Sequence, residues 1–329
     1  TGPVNIAAEK NVTVDLAGFA VTDAEDETTL TRLFMVNGAL TIQDSSADGT
    51  GSITGGTTAA ILASGAGSSV TVTGGEIHGA GVGIWGQFYA DITVQGSATV
   101  SAGNEAQAIN AIGSDVVISA DSDGNAPTIT GDSGITLFNV TADGQVNNEE
   151  GSTPSTLIMS AGSIEAKTFA ISGNNLQSAL TTATITGGSV VSTDTTAIYW
   201  PMEGTLSISG NAVVTGGTAI EAKMGTINIS GGTITGTGTY KEDSPMDGGS
   251  SPEGSALLLS AEMYGASGQY NQYINSPNLN VSITGGKLSS NNGNAVTVYN
   301  SEVEDAQDNN DIIVSGTAEL TAAEGKNVV

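Results

Sequence analysis

The sequence has no cysteine and only seven lysines and arginines in 329 residues. Without cysteine, neither a disulfide framework nor a thiolate zinc site can form. The seven basic residues and the 34 acidic residues together give a formal net charge of −27. Clusters of basic side chains that could bind phosphate are missing. This charge excludes nucleic acid as a partner and disfavours an anionic membrane surface. No apolar run approaches the ~18–20 residues that span a bilayer, so we expect no membrane insertion.

The chain is also poor in charge overall. Charged residues make up 12% of the sequence, whereas hydrophobic residues make up 38%. Disordered chains have the opposite balance, with high charge and low hydrophobicity. The 46 glycines are about twice the usual share. This composition predicts a folded chain that is built from small, β-branched and turn-forming residues.

One short pattern recurs along the chain, namely an alternating apolar run, a Gly or Asn turn, and a second alternating run. Clear copies are NVTVDLAGFAVT from Asn11, SVTVTGGEIHG from Ser69, DITVQGSATVSA from Asp91, TLSISGNAVVTG from Thr205, TINISGGTITG from Thr226 and NVSITGGKLSS from Asn280. A third short strand is expected between copies, and its apolar anchor residues are Ile6, Phe34, Ile61, Ile84, Ile109, Leu137, Ile171, Ile198, Ile220, Leu257, Val296 and Val328. The period-2 alternation predicts strands that each bury one face.

The anchor spacing restricts the architecture. The shortest spacings are 22 and 23 residues, too short for the ~40–45 residues of a propeller blade. Helical periodicity and a leucine-rich-repeat consensus are both missing. The sequence therefore predicts an all-β parallel solenoid, with three short strands and 22 or more residues in each coil. The Gly-Gly and Gly-Asn pairs are expected to supply positive φ at the corner between the second and third strands.

The runs VTVTGGEIHG, INISGGTITG and VSITGGKLSS resemble right-handed parallel β-helix proteins of the pectate-lyase-like superfamily. NVTVDLAGFAVT also resembles the opening coil of large repetitive surface proteins of Gram-positive bacteria. The resemblance implies a single right-handed parallel β-helix of about eleven to twelve coils over residues 1–329. Because neither end carries a polar cap, we expect the chain to be a fragment of a longer protein. Polar insertions at 142–155, 238–254, 262–279 and 301–310 are expected to leave the coils as loops.

The sequence offers no clear catalytic or metal constellation. The seven basic residues are scattered over different coils, and the motifs of β-helix hydrolases are missing. His78 is interpreted as a tolerated outward side chain, and Glu221 is the only acid in its column. Asp121, Asp123, Asn125 and Asp132 partly imitate a calcium loop, but Ala126 stands where glycine is required. We therefore predict no catalytic residues, no metal site and no cofactor.

The residue after each anchor should point outward, and three of these residues are the aromatic Trp85, Phe138 and Tyr199. Flat aromatic faces on alternate coils suit sugar rings or a protein partner. Together with Tyr264, Tyr270 and Tyr273 of a nearby loop, they are the predicted ligand-binding residues. The alternative is that loops fold over this stripe and make it a satellite core.

These observations favour a non-enzymatic, monomeric, extracellular module of a bacterial surface protein, associated with the cell surface or cell wall. It would act as a rigid stalk or adhesin, with a glycan or a host surface protein as its partner. One alternative is a polysaccharide lyase or glycoside hydrolase of the β-helix type. Another is a structural spacer without any ligand.

Overall fold

The computed structural model describes residues 2–23, 30–140, 153–173, 181–239, 253–260, 278–298 and 309–329. In these ranges the regular structure consists of strands and turns, which confirms the predicted all-β class. No helix in them is long and apolar enough to cross a membrane. Most of the four polar insertions lies outside the described residues. The chain divides into two compact units, Thr1–Asn147 with Gly151–Ala166, and Lys167–Val329 with Asn148–Glu150.

The first unit contains eighteen short strands. They are β1 (Val4–Ile6), β2 (Asn11–Asp15), β3 (Ala20–Thr22), β4 (Arg32–Val36), β5 (Ala39–Gln43), β6 (Ser52–Gly55), β7 (Ala59–Ser64), β8 (Ser69–Val72), β9 (Glu76–Gly79), β10 (Val82–Gln87), β11 (Asp91–Gln95), β12 (Thr99–Ala102), β13 (Gln107–Ile112), β14 (Asp115–Ser119), β15 (Thr128–Gly131), β16 (Ser133–Phe138), β17 (Thr156–Met159) and β18 (Ser163–Ala166).

Each of these strands pairs in parallel with the third strand along the chain. The result is three ladders, which we name A, B and C. Ladder A contains β1, β4, β7, β10, β13 and β16. Ladder B contains β2, β5, β8, β11, β14 and β17. Ladder C contains β3, β6, β9, β12, β15 and β18.

The second unit also pairs each strand in parallel with the corresponding strand of the next repeat. Its described strands are β19 (Ile171–Gly173), β20 (Thr182–Ile185), β21 (Ser189–Ser192), β22 (Thr196–Trp200), β23 (Thr205–Ile208), β24 (Val213–Gly216), β25 (Thr218–Ala222), β26 (Gly225–Gly236), β27 (Leu257–Leu259), β28 (Asn278–Ser290), β29 (Val296–Val298), β30 (Asn309–Val314) and β31 (Glu319–Thr321). Here ladder A contains β19, β22, β25, β27 and β29. The long strands β26 and β28 each serve ladders B and C in turn. Long parallel ladders in register are compatible with a parallel β-helix.

The core of each unit consists of aliphatic side chains that stack on their own kind in neighbouring strands. In ladder C of the first unit, Ile53, Ile77, Val100, Ile129 and Ile164 are in register and fully buried. Each fully buried side chain of this size contributes about 1.5–3 kcal/mol of transfer free energy. The opposite faces of ladders B and C carry mainly Thr, Ser and other polar residues, as the alternation predicts.

The predicted anchor ladder holds over most of its length, but two anchors are out of register by two residues. In the first unit Phe34 pairs with Val4, whereas the predicted Ile6 pairs with Val36. Further along, Ile109 pairs with Ile135, whereas the predicted Leu137 pairs with Ala111.

Both out-of-register anchors point inward and are buried, since residues two apart on a strand share a face. The alternation therefore predicted their direction but not their partner. The last predicted anchor, Val328, is not buried, because its side chain is 48% exposed.

Glycines with positive φ form the corners between ladders B and C, as the sequence predicted. In the Gly-Gly pairs the second residue has this conformation, at Gly75, Gly188, Gly232 and Gly286. At Gly210, in a Gly-Asn corner, φ is 61°, and an added Cβ would also meet the carbonyl oxygen of Thr186 in the preceding repeat. Only glycine therefore fits this corner without strain.

Asp44 ties three segments of the first unit together. Its carboxylate accepts hydrogen bonds from Gly18 N (2.8 Å), Gly51 N (2.6 Å), Ser46 N (3.1 Å) and Ser46 Oγ (2.9 Å). Desolvation raises the pKa of Asp44, but the bonds from Gly51, Ser46 and Gly18 together outweigh it, and the net pKa is lowered. The ionised carboxylate is therefore the form that holds this corner.

The first prediction tests the inward ladder. Ile84→Asp in the first unit and Ile198→Asp in the second should each lower the free energy of unfolding by several kcal/mol, because both side chains are fully buried. Ile158→Asp is the matched control, since this isoleucine is 50% exposed on ladder B. Urea denaturation measures all three variants, and an Ile84→Asp protein as stable as the control would contradict the register.

The second prediction concerns Asp44. Asp44→Asn should be less stable than the parent at neutral pH, because the ionised form is the one stabilised in the folded state. A lowered pKa contributes stability above the ordinary value, and this contribution is lost as the pH falls through the folded value. The difference between parent and variant should therefore vanish in acid.

Asp48→Asn is the control for this comparison, because Asp48 is exposed and accepts only from Thr50 Oγ1 among the bonds described. It should change the thermal midpoint very little at any pH. A pH-independent effect of Asp44→Asn would contradict the assigned role of the carboxylate.

Candidate functional site

Outward residues of ladder A form a row in the first unit. We name this row the outer strip, and it consists of Met35, Leu62, Trp85, Asn110 and Thr136 in register. Leu62 and Thr136 are buried, while the other three are partly exposed. A solvated sheet face would carry small polar residues, so this strip is a partly covered, mostly apolar surface.

Trp85 and Asn110 are neighbours in the outer strip and have a shared peculiarity. Trp85 Nε1 and Asn110 Oδ1 are both closed to solvent, and neither has a hydrogen-bond partner. The remainder of each side chain keeps partial exposure. A hidden donor and a hidden acceptor on two paired residues are unusual, because buried polar groups in proteins are nearly always paired.

Phe138 does not lie in the same row as Trp85. It pairs with Ile112, which in turn pairs with Gln87. Phe138 thus points outward and is partly exposed, but it is displaced by two residues along the strand from the outer strip. The predicted column is corrected here, because Thr136 occupies the position that the sequence analysis gave to Phe138. The cause is the register shift at Leu137.

Tyr199 belongs to the second unit. It is 7% exposed, and its ring stacks on Phe169 with centroids 5.2 Å apart and an interplanar angle of 25°. Lys223 Nζ lies 5.8 Å from the centre of the same ring. Tyr264, Tyr270 and Tyr273 lie outside the described residues. Ligand binding by any of the six predicted aromatic residues stays a prediction.

A charged group lies beside Tyr199 on the outward face of ladder A in the second unit. Tyr199 pairs with Glu221, and Glu221 pairs with Leu258. Lys223 Nζ lies 2.9 Å from Glu221 Oε1, and the two side chains are 1% and 4% exposed. Ser260 Oγ donates to Glu221 Oε1 (2.9 Å) and accepts from Lys223 Nζ (3.1 Å). Breaking a buried pair of this kind typically costs about 3–5 kcal/mol.

A third buried charge-bearing residue, Glu253, completes what we name the buried charge cluster, Glu221, Lys223 and Glu253. Desolvation raises the pKa of Glu253, and the negative charge of Glu221 raises it further, against the lowering effect of hydrogen bonds from Ser255. Ser255 N donates to Glu253 Oε1 (3.2 Å), while Glu253 Oε2 is buried without a partner. The net rise in pKa favours the neutral form of Glu253 relative to an exposed glutamate, beside the ion pair of Glu221 and Lys223.

Sequence reasoning found only part of this cluster. It singled out Glu221 but treated Lys223 as one of several scattered basic residues. The spacing of 221 and 223 already places both on one face of a strand. Glu253 gave no signal, because it lies far along the chain. Since all three side chains are buried, the described geometry offers them no open cleft for a substrate.

The remaining sequence candidates have local structural roles. His78 Nδ1 lies 2.9 Å from Ser101 Oγ, its in-register neighbour, which agrees with an outward histidine. Asp121 accepts from Asp123 N and from Asn125 N and Nδ2, which is an ordinary Asx turn. Among the described residues, no group of three or more acidic or histidine side chains is placed to hold a metal ion.

A shallow concavity of about 420 Å³ lies at the glycine corners of the second unit. Its lining includes Asn211, Thr233 and Thr317, with Lys287 and Glu319 at 3.5 Å from each other. That ion pair is two-thirds exposed, so it contributes little stability. The glycines of its floor are already explained by the corner conformation. This concavity is therefore the weaker of the candidate surfaces.

No protein-family model, curated protein or solved structure matches this chain. The function must therefore be inferred from the geometry of the two units.

The third prediction concerns Glu253. Its raised pKa means that the folded state keeps a proton that the unfolded state releases above the ordinary value. The parent should therefore lose stability as the pH rises from that ordinary value through the raised one. Glu253→Gln keeps an acceptor for Ser255 N without a charge, and it should be more stable than the parent at neutral pH and lack this loss.

Glu203→Gln is the matched control, because Glu203 is an exposed glutamate of the same unit. Thermal unfolding from acid to neutral pH measures both variants. If Glu253→Gln were destabilised at neutral pH as much as in acid, the raised pKa of Glu253 would be contradicted.

Proposed function

We propose that this chain is a non-enzymatic, extracellular module of a bacterial surface protein, folded as a right-handed parallel β-helix. It serves as a rigid stalk or adhesin and binds neutral glycans through its outer strip. The observation that carries the proposal is the parallel pairing of each strand with the corresponding strand of the next repeat, in ladders of five or six described strands in each unit.

This pairing supports the β-helix in three ways. A chain that meets its own third strand in parallel must make one full turn for every three strands. A crossover between parallel strands of one sheet is right-handed in about 98% of cases, which supports the handedness. Ladder A has six described strands in the first unit and five in the second, which agrees with eleven to twelve coils.

A scaffold role is supported by the faces that the ladders present. On ladder B of the first unit, Thr13, Thr41, Thr71 and Thr93 form a row in register. Such a surface is polar and regular. Each repeat that carries it is stabilised by packing against the repeats on both sides. A regular, stiff repeat without cysteine and with a net charge of −27 suits a Gram-positive surface protein.

Binding of glycans is supported by the outer strip. Trp85 offers a partly exposed flat ring, and Asn110 offers an amide beside it. Rigid aromatic rings bury contact area without ordering a long side chain. The strongly acidic chain repels uronates and other anions, so the proposal commits to neutral glycans.

The fourth prediction tests this proposal on a glycan array. The labelled protein should bind neutral glycans, and Trp85→Ala should lower the signal at least about tenfold, because the stacking surface is lost. Circular dichroism must show that the variant is folded, since part of Trp85 is buried. Tyr89→Ala is the control, because Tyr89 is an aromatic residue of the same unit that is 61% exposed and lies outside the strip.

If no glycan binds on the array, the glycan-binding adhesin is contradicted and the rigid stalk is the function that is left. Binding that is unchanged in Trp85→Ala would contradict the role of the outer strip. Release of unsaturated or reducing sugars from polysaccharides would contradict the non-enzymatic assignment. Binding to host proteins alone would replace glycans by protein as the partner.

A further inference from the structure

The hidden donor and acceptor in the outer strip have opposite hydrogen-bonding sense. The indole N–H of Trp85 can only donate, and the carbonyl oxygen of Asn110 can only accept. Neither atom has a partner, and both are closed to solvent. Two such groups lose hydrogen bonds to water on folding without regaining any, which costs free energy. A structure tolerates this cost most readily where a ligand satisfies both groups.

The positions of the two residues suit a single small group between them. Trp85 and Asn110 are Cα partners on the parallel strands β10 and β13, which lie ~4.8 Å apart. Both side chains point outward from the same sheet face. A group that accepts from one side chain and donates to the other must fit between two side chains on neighbouring strands. A hydroxyl does both with one oxygen.

We infer that Trp85 Nε1 and Asn110 Oδ1 bind one hydroxyl group of a neutral sugar, with the indole ring stacking on the sugar itself. The inference rests on the proposed function and names the chemistry of its binding strip. The bound hydroxyl accepts from the indole N–H and donates to the amide oxygen. Because both polar atoms are closed to solvent, binding requires the two partly exposed side chains to rotate and admit the hydroxyl.

The surroundings of this pair favour a sugar over an ion. Leu62 lies on one side of Trp85 in the strip and Thr136 on the far side of Asn110, and neither carries a charge. An anion would find no positive group in the strip, and a cation would find no carboxylate in it. A neutral hydroxyl is the ligand that the donor and acceptor satisfy without leaving a buried charge.

The two tryptophans of the chain supply an internal comparison for the test. Trp200 is fully buried, and its Nε1 donates to Gly204 O at 3.3 Å, so its N–H already has a partner. A ¹⁵N-labelled sample should show two indole N–H signals, and Trp85→Phe identifies the signal of Trp85. The probes are the methyl glycosides of glucose, mannose and galactose, with methyl glucuronide as the charged analogue.

At least one neutral methyl glycoside should shift the Trp85 indole signal in a saturable way, leave Trp200 unmoved, and act more strongly than the glucuronide. Asn110→Leu should weaken this affinity at least about tenfold, whereas Asn228→Leu, at a partly exposed asparagine of the second unit, should not. Trp85→Phe keeps a stacking ring without the N–H and should weaken binding on the array less than Trp85→Ala does.

The outcomes separate this inference from the proposed function. If no methyl glycoside moves the Trp85 signal, or if Asn110→Leu binds like the parent, the pair holds water only and the inference is wrong. If the array detects bound glycans but the Trp85 indole signal does not shift, the adhesin function stands and the hydroxyl site is wrong. A saturable Trp85 shift with an empty array would keep the site and overturn the adhesin.

Discussion

Stacking of inward aliphatic side chains between neighbouring strands is the interaction on which the rest of this protein depends. Ile77 is in register with Ile53 and Val100 of the adjacent strands, and all three side chains are fully buried. Each repeat therefore has no complete core of its own and is stabilised by the repeats on both sides. A charge at one inward position removes support from two neighbours, so local damage spreads along the ladder.

Residues on the outward faces do not have to stack in the core, so their side chains can differ between a structural face and a binding face. Ladder B of the first unit carries its row of threonines, whereas ladder A carries Leu62, Trp85 and Asn110 at the equivalent outward positions. The hydrophobic alternation would be satisfied by threonine there as well. Apolar and aromatic residues on an outward face therefore indicate a second use of the surface, either a partner or a covering layer.

The second unit shows the covering alternative most clearly. Tyr199, Glu221 and Lys223 all point away from the ladder core, yet all three are buried. An ion pair in such a place gains its Coulomb energy against a large desolvation cost, and it is retained only with good geometry and additional hydrogen bonds. Ser260 supplies those bonds to both partners. The sequence allows either an open platform or a covered stripe, and at Tyr199 the side chain is covered.

The strands, the face on which each residue lies and the glycine corners follow from local sequence patterns. Period 2 decides that Ile84 points in and Trp85 points out, and positive φ requires glycine at residues such as Gly75, so these features are local. The choice of partner residues depends on how neighbouring strands pack. Ile135 and Leu137 are both aliphatic and both point inward, so alternation cannot predict which of them is the partner of Ile109. The strand register makes Ile135 that partner. The hidden pair at Trp85 and Asn110 likewise depends on packing between strands 25 residues apart, which no local pattern records.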